Sequence, residues 1–401
     1  MTLELADLRR SPNALAGDYA RFRVGERLLL SGHSHQAWPD AALEGQVEAF
    51  ADAALAVDDK WERAFAKAEA VRDGVRALLG DPGAEVALGQ NTHELVLRFL
   101  SALDLCARPR LVSTDGEFHT LRRQLDRLGE AGLEVVKVPA APADTLAERL
   151  AAALDDRTGA VLVSAVLFET ARIVPGLDAL AGACAARGAE LLVDVYHALG
   201  PVPFALEDRG LRDAWVTGGG YKYLQLGEGN CFLRLPPHAA ELRPLLTGWF
   251  AEFDALAAPA GGRVGYGAGA SRFAGATYDP TSHYRAARVL AFFAERGLTP
   301  ALLRQTYRHQ VALLAAEVDA LGLPEDLLTR DRHVSLDALG GFLALESPLA
   351  GELRAALGER GVMSDSRGRF LRLGPAPYLS DAQLRSAVAR LGDAAESVGR
   401  L

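Results

Sequence analysis

A lysine set in a run of glycines, Gly218-Gly219-Gly220-Tyr221-Lys222, lies downstream of a strand-like Leu191-Leu192-Val193 that ends in Asp194, with His197 three residues further on. In an apolar, glycine-rich setting an ammonium is desolvated and its pKa falls, so the amine can lose a proton and attack an aldehyde carbon. A carboxylate at the end of a buried strand can hold an aromatic ring nitrogen protonated, and the ring then accepts electrons from a carbon conjugated to it. Singly, each residue also has an ordinary reading: a solvated loop lysine, a turn or capping aspartate. The order strand, Asp-x-x-His, strand, Gly-Gly-Tyr-Lys within one βαβ stretch is what points to carbonyl chemistry on an amine. Asn91 and Thr92 stand just before a helical run at 93–103, where free N–H groups and the helix dipole would hold a phosphate, or where Asn91 is simply an N-cap.

The elements that must position these residues can be read from periodicity. Short β-rich runs at 85–88, 110–113, 134–138, 160–166, 191–195, 214–217 and 232–235 mostly alternate with segments of helical period, 145–150 and 176–187 being the clearest. This predicts an α/β fold with a mostly parallel seven-stranded sheet covered by helices on both faces. A Pro- and Gly-rich region at 236–275 marks a change of architecture. After it, one long helical stretch at 281–321 and strand-like 341–345 and 370–373 predict a smaller α+β domain. The expected division is 1–45 as an N-terminal segment serving the small domain and the site, 46–245 as the large domain and 246–401 as the small one.

At 401 residues the chain has room for two cores. A net charge of −9 argues against nucleic acid as a partner. No run is apolar for the roughly 18 residues of a membrane span, and the start lacks a secretory core, so a cytoplasmic protein is expected. Cys106, Cys184 and Cys231 are too few and too scattered for a disulfide framework and are expected to be buried. His33 and His35 have no partner at metal-ligand spacing, so no metal is expected.

The segments DVYHALGPVPFAL and GGGYKYLQLGEG resemble the kynureninase branch of the class V aminotransferase superfamily, and weaker likeness runs from about residue 28 to 392. The resemblance implies fold type I, pyridoxal 5′-phosphate as cofactor, and a homodimer with shared active sites. It implies Lys222 as the residue that carries the cofactor and Asp194 as the partner of its ring nitrogen. Phe118 would lie against the ring, Asn91 and Thr92 would hold the phosphate, Ser164 and His197 would contact the cofactor, and Tyr221 with His197 would serve as acid and base. Trp249 and Thr277 resemble further phosphate contacts supplied by the partner subunit. Arg372 resembles the clamp for the substrate α-carboxylate, and its guanidinium suits two parallel hydrogen bonds. His33 and Ser34 align with a substrate-facing loop.

Departures cluster near the substrate: Leu121 replaces the family's aspartate, His33-Ser34-His35-Gln36 replaces its usual loop, and Glu228 and Asn230 replace small residues. The implied activity is hydrolysis of the Cβ–Cγ bond of L-kynurenine or a related γ-keto amino acid to an aryl acid and L-alanine. Alternatives are a β-eliminating lyase, an aminotransferase, or an inactive cofactor-binding regulatory protein. Desulfuration is disfavoured, since no cysteine follows Cys231.

Overall fold

The computed structural model describes residues 3–257 and 262–399. Seven strands form the central sheet: β1 (Glu85–Gly89), β2 (Arg110–Thr114), β3 (Glu134–Val138), β4 (Thr158–Ser164), β5 (Glu190–Asp194), β6 (Trp215–Gly219) and β7 (Cys231–Leu235). Their order is β1-β7-β6-β5-β4-β2-β3, and every pair is parallel except the two made by β7. All residues of β4, Thr158 to Ser164, are buried, as expected of a strand covered on both faces. β3, at one edge, is only partly buried. The predicted mostly parallel sheet is therefore present, its strand bounds differing from the expected ones by a few residues.

Covering helices include α1 (Ala41–Ala56), α2 (Lys60–Leu78), α3 (Thr92–Ser101), α4 (His119–Glu130), α5 (Leu146–Ala152) and α6 (Leu177–Arg187). The expected single helix at 281–321 is two: α7 (Thr281–Arg296) and α8 (Pro300–Ala320). Gly297, at φ 68°, takes the left-handed conformation that closes α7. Thr299 then caps α8 by accepting from the Leu302 N–H at 3.2 Å, and Pro300 follows at the first helical position, where its missing N–H costs nothing. The Gly and Pro were visible in the sequence, and helical periodicity on either side concealed the break.

Beyond α8, strands β8 (Leu343–Glu346), β9 (Asp365–Arg367) and β10 (Phe370–Leu373) form an antiparallel sheet in the order β9-β10-β8, packed with α9 (Ala350–Glu359) and α10 (Asp381–Val398). The N-terminal segment joins this region: Leu28 and Leu29 pair with Val362 and Met363, and Ser31 bridges to Gly374. Helix α7 packs on α1 and α2, so residues from both ends of the chain share one apolar core. Among the described residues no helix is long and apolar enough to cross a membrane.

Candidate active site

The parallel strands all end at the same edge of the sheet, and a crevice outside the carboxyl ends of such strands is where α/β folds bind ligands. Here it is a cavity of about 270 Å³ bounded by Ser164 of β4, Asp194 of β5, Thr217 of β6, the N-terminus of α3, Phe118 and Lys222. The glycine run explains how a lysine comes to be buried there. A Cβ on Gly219 would overlap the Tyr196 ring and the Cys231 sulfur, and one on Gly220 would stand 2.6 Å from Leu226 Cβ. Only glycine lets the chain pass so close to the sheet.

Lys222 is 6% exposed, and its Nζ lies 2.6 Å from His197 Nε2. Three rings surround the amine, with Nζ 4.7 Å from the centroid of Tyr196, 5.3 Å from Phe118 and 5.7 Å from Tyr221. Burial, with help from the Arg372 charge, lowers the Lys222 pKa to about 7, while Asp194 works in the opposite direction. Burial likewise keeps His197 neutral, its pKa well below the usual range, with the Lys222 and Arg372 charges acting in the same sense. His197 is therefore a hydrogen-bond acceptor for the lysine ammonium, and its Nδ1 has no hydrogen-bond partner among the described residues. Asp194 Oδ1 accepts from the Tyr196 N–H at 2.8 Å, and burial raises its pKa against the effect of that bond and of Lys222. Burial pushes the Tyr221 hydroxyl up to about 12, which makes it a proton donor at neutral pH.

At the opposite wall, Asn91 caps α3 through a bond from the Glu94 N–H at 3.0 Å, and Asn91 and Thr92 border the cavity. The N-cap reading of Asn91 is thus observed, at a helix N-terminus that opens on the cavity. Phe118 faces Phe168 edge-on at 5.4 Å.

No protein-family model matches the chain. Kynureninase of Xanthomonas campestris pv. campestris (strain B100) is 30% identical over 196 residues, which span 45% of this chain and 45% of that protein, less than half the length of that curated relative. Among solved structures, a C-DES mutant with glycine covalently linked to its PLP cofactor superposes with a TM-score of 0.82 at 16% identity, over 94% of this chain and 98% of that one. Cysteine desulfurase from Thermococcus onnurineus NA1 gives 0.77 at 16% identity, over 96% and 98%. The desulfurase CsdA of Escherichia coli gives 0.76 at 16%, over 96% and 98%. The architecture is fold type I.

Within this fold type I chain the cavity gathers Lys222, Asp194, His197, Tyr221, Asn91, Thr92, Phe118 and Ser164. It does not gather the other anticipated residues. Trp249 is 44% exposed in an aromatic group with Phe250 and Phe253, and Thr277 is exposed on a neighbouring loop tied to it by the Phe250 N–H and the Gly275 carbonyl at 3.1 Å. Arg372 is buried one layer behind the cavity. Its Nη1 donates to the Phe168 carbonyl at 2.5 Å, its Nη2 pairs with Asp365, and its Nε has no partner among the described residues. His33 is fully buried, stacked on Phe342 at 4.6 Å, with Nε2 3.6 Å from Asp365 Oδ2. Burial lowers its pKa to about 4, so it is neutral. Ser34 is half-buried and bonds its neighbour His35 at 3.2 Å.

Three side chains in or beside the site had drawn no attention in the sequence: Glu117, Tyr196 and Asp365. Glu117 is the clearest signal passed over, a carboxylate next to Phe118 in the turn after β2. The expected burial of all three cysteines holds for Cys184 and Cys231, whereas Cys106 is exposed in the turn that precedes β2. That turn stands at the opposite end of β2 from the cavity.

Proposed function

We propose that the chain is a pyridoxal 5′-phosphate-dependent enzyme of the class V group and that it acts as a kynureninase-like hydrolase on L-kynurenine or a related γ-keto amino acid. The observation that carries this is the buried Lys222 amine, its pKa brought to about 7, facing Asp194 across an aromatic-walled cavity. The residues present fit the cofactor: a buried amine of lowered pKa, a carboxylate at a strand end, and a helix N-terminus with Asn91 and Thr92 for a phosphate. When bound, that cofactor supplies an aldehyde and an electron-withdrawing ring.

Lys222 acts as the base that takes a proton from the substrate α-carbon and returns it, since about half of its amine is neutral at pH 7. His197, 2.6 Å away and neutral, accepts a hydrogen bond from the Lys222 ammonium and so holds the amine in place. Asp194 supplies the negative charge opposite a ring nitrogen. Tyr221 donates its phenolic proton. Trp249 and Thr277 serve the site of a second copy of the chain, consistent with the exposed apolar side chains Phe50, Leu55, Leu245 and Trp249.

Loading of the apoprotein with pyridoxal phosphate should require the neutral amine. Its rate is expected to rise about tenfold per pH unit below pH 7 and to level off above. Stopped-flow absorbance across neutral pH measures this, and a flat profile would contradict an amine titrating near 7.

A second reading, a C–S lyase acting on a sulfur amino acid, is favoured by the likeness to C-DES, whose structure was solved in complex with its product cysteine persulfide. A desulfurase with a catalytic thiol is a poor fit, because burial pushes the Cys231 thiol up to about 12 and Cys106 lies at the far end of β2. The curated kynureninase, 30% identical over 45% of the chain, supports hydrolysis, and the lyase reading stands beside it on the likeness over 94% of the chain. Incubation with L-kynurenine should release alanine and an aryl acid with no keto-acid acceptor. Pyruvate release from L-cystine, with no alanine from kynurenine, would select the lyase instead.

A further inference from the structure

A second carboxylate stands over the same edge of the sheet, and nothing in the proposed chemistry uses it. Glu117 is 2% exposed, in the turn after β2. Its Oε1 accepts from Thr114 Oγ1 at 2.8 Å and from the Ser164 N–H at 3.2 Å, while its Oε2 lies 2.5 Å from Ser164 Oγ. Because Oε1 already receives two donors, a proton on this carboxyl belongs on Oε2, facing the serine. Ser164 in turn borders the cavity.

We propose that Glu117 is a positioning residue whose proton decides which way the Ser164 hydroxyl donates. With Glu117 ionised, Ser164 gives its hydrogen to Oε2 and only lone pairs face the cavity. With Glu117 protonated, its O–H donates to Ser164 Oγ, and the serine hydrogen is free for an oxygen acceptor on the ligand. Burial, added to by the Asp194 charge, raises the Glu117 pKa to about 7 against the three hydrogen bonds, so both forms are populated near neutrality.

The groups that face it are few. Thr114 of β2, Ser164 of β4 and Asp194 of β5 surround the carboxyl, and among the described residues no ion pair involves it. Asp115 and His119 on its own turn are exposed, and Lys222 is engaged with His197.

The inference rests on the cofactor reading of the cavity, and its test separates the two. In cofactor-free protein, infrared titration should show a protonated-carboxyl band that disappears near pH 7, is absent from Glu117→Gln and changes frequency in Ser164→Ala. In a Lys222→Ala background, which removes the lysine titration, equilibrium dialysis should show pyridoxal phosphate affinity falling about tenfold as Glu117 ionises. Adding Glu117→Gln, whose amide also donates to Ser164, should hold affinity at the acid-side value, and adding Ser164→Ala should hold it at the lower one. A pH dependence unchanged by Glu117→Gln, or no such infrared band, overturns the role of Glu117. Failure of wild-type protein to bind pyridoxal phosphate at all, with the band present, instead overturns the cofactor reading and with it the link from Ser164 to that ligand.

Discussion

Lys222→Ala is expected to leave a folded protein that binds pyridoxal phosphate only reversibly, yields no borohydride-fixed adduct and loses at least about 10³-fold in kcat/KM. The size follows from what is removed: a positioned base is worth ~10²–10⁴-fold alone, and here the same amine also makes the covalent attachment. Folding should survive, because a buried amine with a lowered pKa opposes folding, fully below pH 7 and less and less as pH rises towards the usual lysine range. Wild-type protein, reduced in the presence of pyridoxal phosphate and digested, should carry the added mass on the peptide containing Lys222. An adduct on another lysine, or substantial activity in the alanine variant, would remove the basis of the proposed chemistry.

Asp194→Asn should cost ~10²–10³-fold in kcat, the usual scale for removing one group aimed at developing charge. Asparagine keeps the shape and can still accept from the Tyr196 N–H, so the loss reports the charge and not the fold. A second signature accompanies it. The Asp194 charge holds the Lys222 pKa up, so its removal should move the midpoint of cofactor loading below pH 7. A variant with reduced rate and an unmoved midpoint would mean that the two groups do not face each other in the working enzyme.

How much of this was legible in the sequence differs from element to element. The central strands were, because parallel strands covered on both faces are continuous apolar runs: Val161, Leu162 and Val163 need no tertiary context to be read as β4. The break between α7 and α8 was written in Gly297 and Pro300 but concealed by apolar periodicity on both sides. The pair of Lys222 and Asp194 was readable because the parallel strands β5 and β6 are neighbours and end side by side, although the expected βαβ unit is not present: the connection at 195–214 is made of turns without a helix.

The residues that escaped are those whose environment comes from remote segments. Glu117 owes its raised pKa to burial among remote segments and to the Asp194 charge, against the hydrogen bonds from Ser164, 47 residues on. Arg372 looked like an open clamp, yet it is held by Asp365 and by the Phe168 carbonyl, 204 residues away. Trp249 and Thr277 stand outside the cavity of their own chain, and no local pattern announces that.

The sequence by itself determined the fold class and the two groups that face each other at the end of the sheet, because apolar periodicity and glycine spacing act over a few residues. Tertiary structure alone decided the protonation of those groups and the company they keep. Desolvation and charge depend on everything packed within a few ångströms, and the chain brings that together from segments hundreds of residues apart.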